Sequence, residues 1–467
     1  MEEILNSLIE GYRGNMLCAA GRLIEYDSVL EAEGGQGAPF GTRIARAQQE
    51  VLKLGRELGF ETKDYDGYVA AIDFGSQGRQ IGILSHIDVV PAGEGWSYPP
   101  FKGTVENGRL YGRGSVDDKG PMVAALYAMK AIAESGLPIK NHVRHIIGCD
   151  EESGFSRCMK YYLTKEKQPW GGFSPDGEFP VIHAEKGIMR FTIGAKWPQA
   201  GEGLRIVKLH GGTKVNVVPS GALAVLEGDP EAFTLVKNKM AVYEKKEKLL
   251  IETGDRTLTI TATGQGAHSS QPWNGENAIA LLLEFLKTLP IRPKAEFNYI
   301  SAVSRLFGDG YRGENLSIRC EDGLSGMLTL SLGVLDMDTT SGKATIDMRY
   351  PIHADKEMLW KTITMACEEE KLDIEILQDK PNIYIPKTAP LVQTLLKVYQ
   401  EISGRDEGPV VIGGGTYCRT MNNFVAYGPV FPGQKELAHE ADESIAVDDL
   451  VMTAKIYARA LYVLLQQ

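Results

Sequence analysis

Cysteine is scarce, six in 467 residues. The six, at positions 18, 149, 158, 320, 367 and 418, never form a CxxC pair. That fits reduced thiols in a cytoplasmic protein better than a disulfide framework or a cysteine zinc site. No apolar run approaches the roughly 18 residues that a membrane span requires, so no membrane partner is expected. Positive charge is in deficit, with 50 Lys and Arg against 61 Asp and Glu for a net charge of −11. A nucleic-acid partner would normally show a basic face, and none is indicated. The amino terminus, "MEEILNSLIEGYRGNM", carries acids where a signal peptide carries positive charge; its apolar residues recur at helical spacing, as in a mature amphipathic helix. No GxGxxG opens a helix after a strand, and no lysine follows the glycine run 413–415 as a P-loop requires. Nucleotide-dependent chemistry is thereby disfavoured.

What is present is ordinary globular material, 43% hydrophobic and 24% charged, in a chain too long for one core. "YVAAIDFG", "QIGILSHIDVV" and "HVRHIIGC" read as strands. "GPMVAALYAMKAIAESG" reads as a helix, with Pro121 in its first turn and Gly136 closing it. Strands alternating with such helices predict an α/β domain with a mostly parallel sheet flanked by helices, whose ligands sit beyond the carboxyl ends of the strands. From about residue 185 the pattern becomes α+β with antiparallel strands, and after 381 the α/β texture returns. The expected organisation is therefore a discontinuous domain, 1–184 with 382–467, interrupted by an inserted α+β domain, 185–381.

The stretch "SHIDVVPAGEGW" places His86 and Asp88 two residues apart at the end of a strand, on the same side. The plain reading is a histidine bonded to a nearby acid. Acids then recur at strand ends and in loops: Asp117 and Asp118, Asp150 to Glu152, and Asp176, with His439 near the carboxyl terminus. Singly, each is a helix cap or a solvated loop acid. Together they meet another demand. Two hydrolytic metal ions about 3.5–4 Å apart need a shared carboxylate, further oxygen and nitrogen donors, and a base for the attacking water. Mixed histidine and carboxylate donors suit zinc, manganese or cobalt.

These residues lie in motifs that, in combination, resemble the M20 family of metallopeptidases and, within it, the PepV-type bacterial dipeptidases: "SHIDVVPAGEGW", "GRGSVDDKGP", "DEESG", "SPDGEFP", "GGTKVNVVPSGA", "GQGAHSSQPWNGENA", "DMRYP", "GGGTYCR" and "HEADESI". The resemblance implies a cofactor of two divalent metal ions, zinc first, with manganese or cobalt as alternatives. His86 and Asp176 would hold one ion, Glu152 and His439 the other, and Asp117 both. Asp88 would orient His86, and Glu151 would activate a metal-bridging water as general base. The Asp117–Asp118 peptide bond is expected to be cis. The inserted segment would be the family's lid, built as two ferredoxin-like halves. Its His268 would stabilise the oxyanion, while Asn216, Arg349 and the glycines Gly413, Gly414 and Gly415 would hold the substrate's backbone groups. For Arg349 an ion pair inside the lid is the competing reading. The function so implied is hydrolysis of unblocked dipeptides by a monomer whose long lid serves its own site. An N-acyl-amino-acid amidohydrolase and a non-catalytic metal-binding scaffold are the alternatives.

Overall fold

The run "QIGILSH" forms the strand Gln80–His86, buried along all but its first residue. It lies at the middle of a sheet in the computed structural model, which describes residues 2–32, 34–198, 203–292, 294–308 and 310–467. The chain divides into two compact units. The first comprises Met1–Ala184, Tyr384–Val411 and Gly415–Gln467; the second comprises Glu185–Ile383 and Ile412–Gly414.

The sheet of the first unit runs, in order, Glu61–Tyr65, Val69–Phe74, His142–Gly148, Gln80–His86, Gly171–Ser174, Phe424–Ala426 and Ile182–Glu185. At its centre the pairing is parallel: Gln80–His86 lies between His142–Gly148 and Gly171–Ser174, and the latter pairs with Phe424–Ala426. The flanking pairs are antiparallel. The outermost hairpin turns at Asp66 and Gly67, with φ of 54° and 78°. Positive φ at both positions is the tight-turn geometry whose twist suits adjoining strands. The α/β expectation holds, with the parallel part narrower than the sequence implied. Helix Lys119–Ser135 is buried on nearly every side and ends on Gly136 at φ 66°, a left-handed cap that glycine adopts without strain. It packs on the carboxyl-terminal helix Val447–Gln466 and on the amino-terminal helices Glu2–Gly11 and Arg13–Ile24. Among the described residues no helix is long and apolar enough to cross a membrane.

The second unit carries, among the described residues, an eight-stranded antiparallel sheet. Strands Leu249–Thr253, Thr257–Thr263, Gly221–Glu227 and Arg205–Gly211 make one half; Thr329–Met337, Ser341–Tyr350, Gly187–Lys196 and Asp373–Lys380 make the other. The halves join where Arg205–Gly211 pairs with Thr329–Met337. Burial alternates along Gly221–Glu227 and Thr257–Thr263, as expected of strands with one covered face. Helices Pro230–Ala241, Ala278–Leu286 and Lys356–Glu369 start on Asp229, Asn277 and Asp355, each accepting backbone N–H groups of the first turn.

Candidate metal centre

The carboxyl ends of the central strands gather the predicted acids and histidines of the first unit. His86 is the last residue of its strand, Asp150 follows His142–Gly148 by two residues, and Asp176 follows Gly171–Ser174 by two. Asp117 lies in the loop before helix Lys119–Ser135, joined to Asp118 by a cis peptide bond as expected. His439, at φ 66°, lies in the loop before the strand Ser444–Ala446.

The Asp117 carboxylate stands between the two imidazoles. Its Oδ1 is 2.8 Å from His86 Nε2 and its Oδ2 is 3.1 Å from His439 Nε2. Glu152 Oε2 is 3.1 Å from the same His439 nitrogen, and Asp176 Oδ2 is 3.9 Å from His86 Nε2. Donor atoms of His86, Asp117 and Glu152 all lie within 4.8 Å of one another.

Protonation follows from the partners. His86 Nδ1 is 2.9 Å from the backbone carbonyl of Asp88, which can only accept, so Nδ1 carries the proton and Nε2 offers a lone pair. That lone pair faces another acceptor, Asp117, and only a positive charge reconciles the two. Burial alone would depress His439, but the Asp117 and Glu152 carboxylates reverse this and push it up to about 11. Burial and the Asp117 charge push Glu152 up to about 7, and the same two causes hold Asp176 well above the usual carboxylate range. Without cations, then, the cluster balances its charge by holding protons. Two imidazoles and three carboxylates on one spot form the donor set that divalent zinc, manganese or cobalt accepts, and the residues fit the group.

Asp88 does more than the sequence suggested. Its carboxylate lies 3.6 Å from His86 Nδ1 and accepts the backbone N–H groups of Glu151 at 3.1 Å and Glu152 at 2.9 Å. It thus fixes the start of the loop that carries the candidate base and a candidate ligand. Sequence reasoning missed Glu443, which is wholly buried and accepts N–H groups from the Asp117 loop. Its one signal was an acid directly preceding an apolar strand.

The other predicted residues, Gly415 excepted, belong to the second unit. There His268 is exposed in the short strand Ala267–His268, its Nδ1 2.6 Å from Ser270 Oγ. Asn216 O accepts the N–H of Ser269 at 2.9 Å. Ser269 Oγ accepts from Arg349 Nη2 at 3.0 Å and donates to Asp347 Oδ1 at 2.9 Å. Arg349 is 2% exposed; it pairs with Asp347 at 2.9 Å and donates to Gly413 O at 2.7 Å. The ion pair considered as the competing reading is therefore present. Asn216, Arg349 and Gly413 form one bonded chain through Ser269, a residue the sequence did not single out.

A histidine and carboxylate cluster of this kind, at the carboxyl ends of an α/β sheet, defines a metal-dependent hydrolase. The chain belongs to peptidase family M20/M25/M40, whose sequence profile matches residues 82–463, and is a metallopeptidase, a hydrolase of peptide bonds. The protein YtjP of Bacillus subtilis (strain 168) is 39% identical to it, over 94% of this chain and 95% of the relative. The Beta-Ala-Xaa dipeptidase of Lactobacillus delbrueckii subsp. lactis is 33% identical over 99% of this chain and 98% of its own. Human carnosine dipeptidase 1 shares the fold, with a TM-score of 0.63 at 14% identity, covering 100% of this chain and 99% of that one.

Proposed function

We propose that the protein is a dinuclear metallodipeptidase acting on unblocked dipeptides. The observation that carries this reading is the Asp117 carboxylate set between His86 Nε2 and His439 Nε2. The near full-length similarity to a Beta-Ala-Xaa dipeptidase supports the substrate class. His86 and Asp176 would hold one ion and Glu152 and His439 the other, with Asp117 serving both; zinc is our first choice. Two divalent ions bound there would polarise the scissile carbonyl and acidify water.

The chain's own groups do the rest. Glu151 takes the proton of the attacking water and delivers it to the departing amine, as general base and then acid. Asp88 holds the backbone of that glutamate in place. His268 stabilises the developing oxyanion. Arg349, Asn216 and the N–H groups of Gly413, Gly414 and Gly415 hold the free carboxylate of the substrate, for which a guanidinium fork is matched. One chain suffices, with His268 serving the metal centre of its own molecule. None of the six cysteines is joined in a disulfide among the described residues, which suits a reducing compartment, and we assign the protein to the cytoplasm.

The test is kcat/KM for metal-loaded protein across dipeptides, the same dipeptides amidated, tetrapeptides and N-acyl amino acids. Unblocked dipeptides should be the best substrates. Equal rates on a dipeptide and its amide would remove the carboxylate anchor, and faster rates on N-acyl amino acids would make the enzyme a deacylase.

A further inference from the structure

Glu443 stands four residues beyond His439 and is wholly buried. Its Oε1 accepts the backbone N–H groups of Gly114 at 3.0 Å, Val116 at 2.9 Å and Asp117 at 3.2 Å. Its Oε2 accepts from Arg113 Nη1 at 2.6 Å, and its backbone carbonyl accepts the N–H of Gly112 at 2.9 Å. The segment 112–118 is neither helix nor strand, so these bonds, rather than a regular ladder, set its course. At the other end, the loop bearing His439 is pinned by Asp442, whose Oδ1 accepts the N–H groups of Ser97 at 2.7 Å and Tyr98 at 3.3 Å. One carboxylate thus ties together two loops far apart in sequence, and each supplies a candidate metal ligand.

We propose that Glu443 is a positioning residue that sets Asp117 relative to His439, so that uptake of both divalent ions depends on its acceptor oxygen. This rests on the reading of Asp117 and His439 as ligands. The rival explanation is that Glu443 serves only as the buried counter-ion of Arg113. The two differ in what they demand. Positioning needs an acceptor facing three N–H groups, whereas the ion pair needs two charges. A buried charge left unpaired costs more than removal of both partners, so a single substitution cannot separate the roles and a pair can.

The experiment is calorimetric titration of Mn²⁺ into metal-stripped full-length protein. Wild type should take up two ions. In Glu443→Gln the side-chain amide must turn a donor either to the three N–H groups or to the guanidinium, and at least one ion should bind about 10–100-fold more weakly, the range for groups that orient metal ligands. In Glu443→Gln/Arg113→Met the guanidinium is gone and the amide oxygen can serve the three N–H groups. That variant should recover both ions to within about threefold of wild type. A role limited to the ion pair predicts the same recovery in a control carrying Glu443→Met and Arg113→Met, which has neither charge nor an acceptor oxygen. Positioning predicts that this control stays weak or fails to fold, and its recovery of both ions overturns the proposal. The proposal is also overturned if Glu443→Gln binds like wild type, or if Glu443→Gln/Arg113→Met stays weak. Failure of Glu443→Gln/Arg113→Met to fold by circular dichroism overturns it too, because the fold would then need the charges and not the acceptor. Should Glu443→Gln itself fail to fold, Glu443→Gln/Arg113→Met decides against the control. If wild type takes up fewer than two ions, or Asp117→Asn leaves uptake intact, it is the ligand assignment that fails.

Discussion

The backbone N–H of Glu152 donates to the carboxylate of Asp88 at 2.9 Å, joining residues that leave adjacent strands. Asp88 accepts from Glu151 as well, so one buried side chain fixes the backbone of the candidate base and a candidate ligand. Asp88→Asn keeps one acceptor and turns the other into a donor. It should lower kcat and metal affinity by about 10–100-fold each. Metal content measured beside kcat checks this; unchanged values for both would confine Asp88 to His86.

Glu151 is assigned no metal. Glu151→Gln should therefore retain its ions while losing about 10²–10⁴ in kcat, the usual span for a general base. Substantial activity in a variant with full metal content would take Glu151 out of the mechanism.

Arg349 already pairs with Asp347, so its substitution has two separable consequences. Arg349→Lys keeps the charge and loses the planar fork. If the fork reads the substrate's carboxylate, the kcat/KM ratio of a dipeptide to its amide should fall about tenfold or more. If Arg349 only braces its own unit, thermal stability drops and the ratio stays put.

Assembly can be read by complementation. Glu151→Gln and His268→Ala chains are each expected to be poorly active, and mixing them should restore nothing if each molecule uses its own histidine. Recovered activity would show that His268 is shared between chains.

Glu296 gives the second unit a pH dependence of its own. It is wholly buried on helix Lys294–Val303; Oε2 accepts the N–H of Ile206 at 3.0 Å, and Oε1 has no partner among the described residues. Burial pushes its carboxyl up to about 7. Because the folded value is raised, the neutral form is favoured. Its contribution to stability is complete below the unfolded value of about 4.5 and is lost as pH climbs through about 7. Wild type should lose, relative to Glu296→Gln, on the order of 3 kcal/mol between pH 5 and pH 8. Parallel urea denaturation curves of the two proteins would show it, and coincident pH profiles would refute it.

Most residues of the candidate metal centre could be picked out in the sequence because they lie in recognisable motifs. His86 closes an apolar strand run, Asp117 precedes a helix with proline in its first turn, and Asp176 lies in the motif "SPDGEFP". The strand Glu61–Tyr65 could not be read, since "ETKDY" buries only its tyrosine and shows no apolar alternation. Its hairpin is part of why the parallel region is narrower than expected. Glu443, Ser269 and Asp347 were missed for another reason. They act by accepting N–H or O–H groups or by pairing with an arginine, and a backbone donor leaves no mark in a sequence. Asp88 falls between the two cases: its neighbourhood with His86 was visible, its hold on Glu151 and Glu152 was not.

The strand Ser444–Ala446 pairs with Arg109–Tyr111, the strand just before the Asp117 loop. On a chain made from the amino end, His86, Asp117, Glu152 and Asp176 emerge long before either Ser444 or His439. Until that late strand docks, the nascent protein lacks one of the two histidines of the candidate cluster and the Glu443 brace on the Asp117 loop. A chain cut short before His439 therefore cannot assemble the full candidate donor set, and its uptake of divalent ions is expected to be weaker than that of the whole chain.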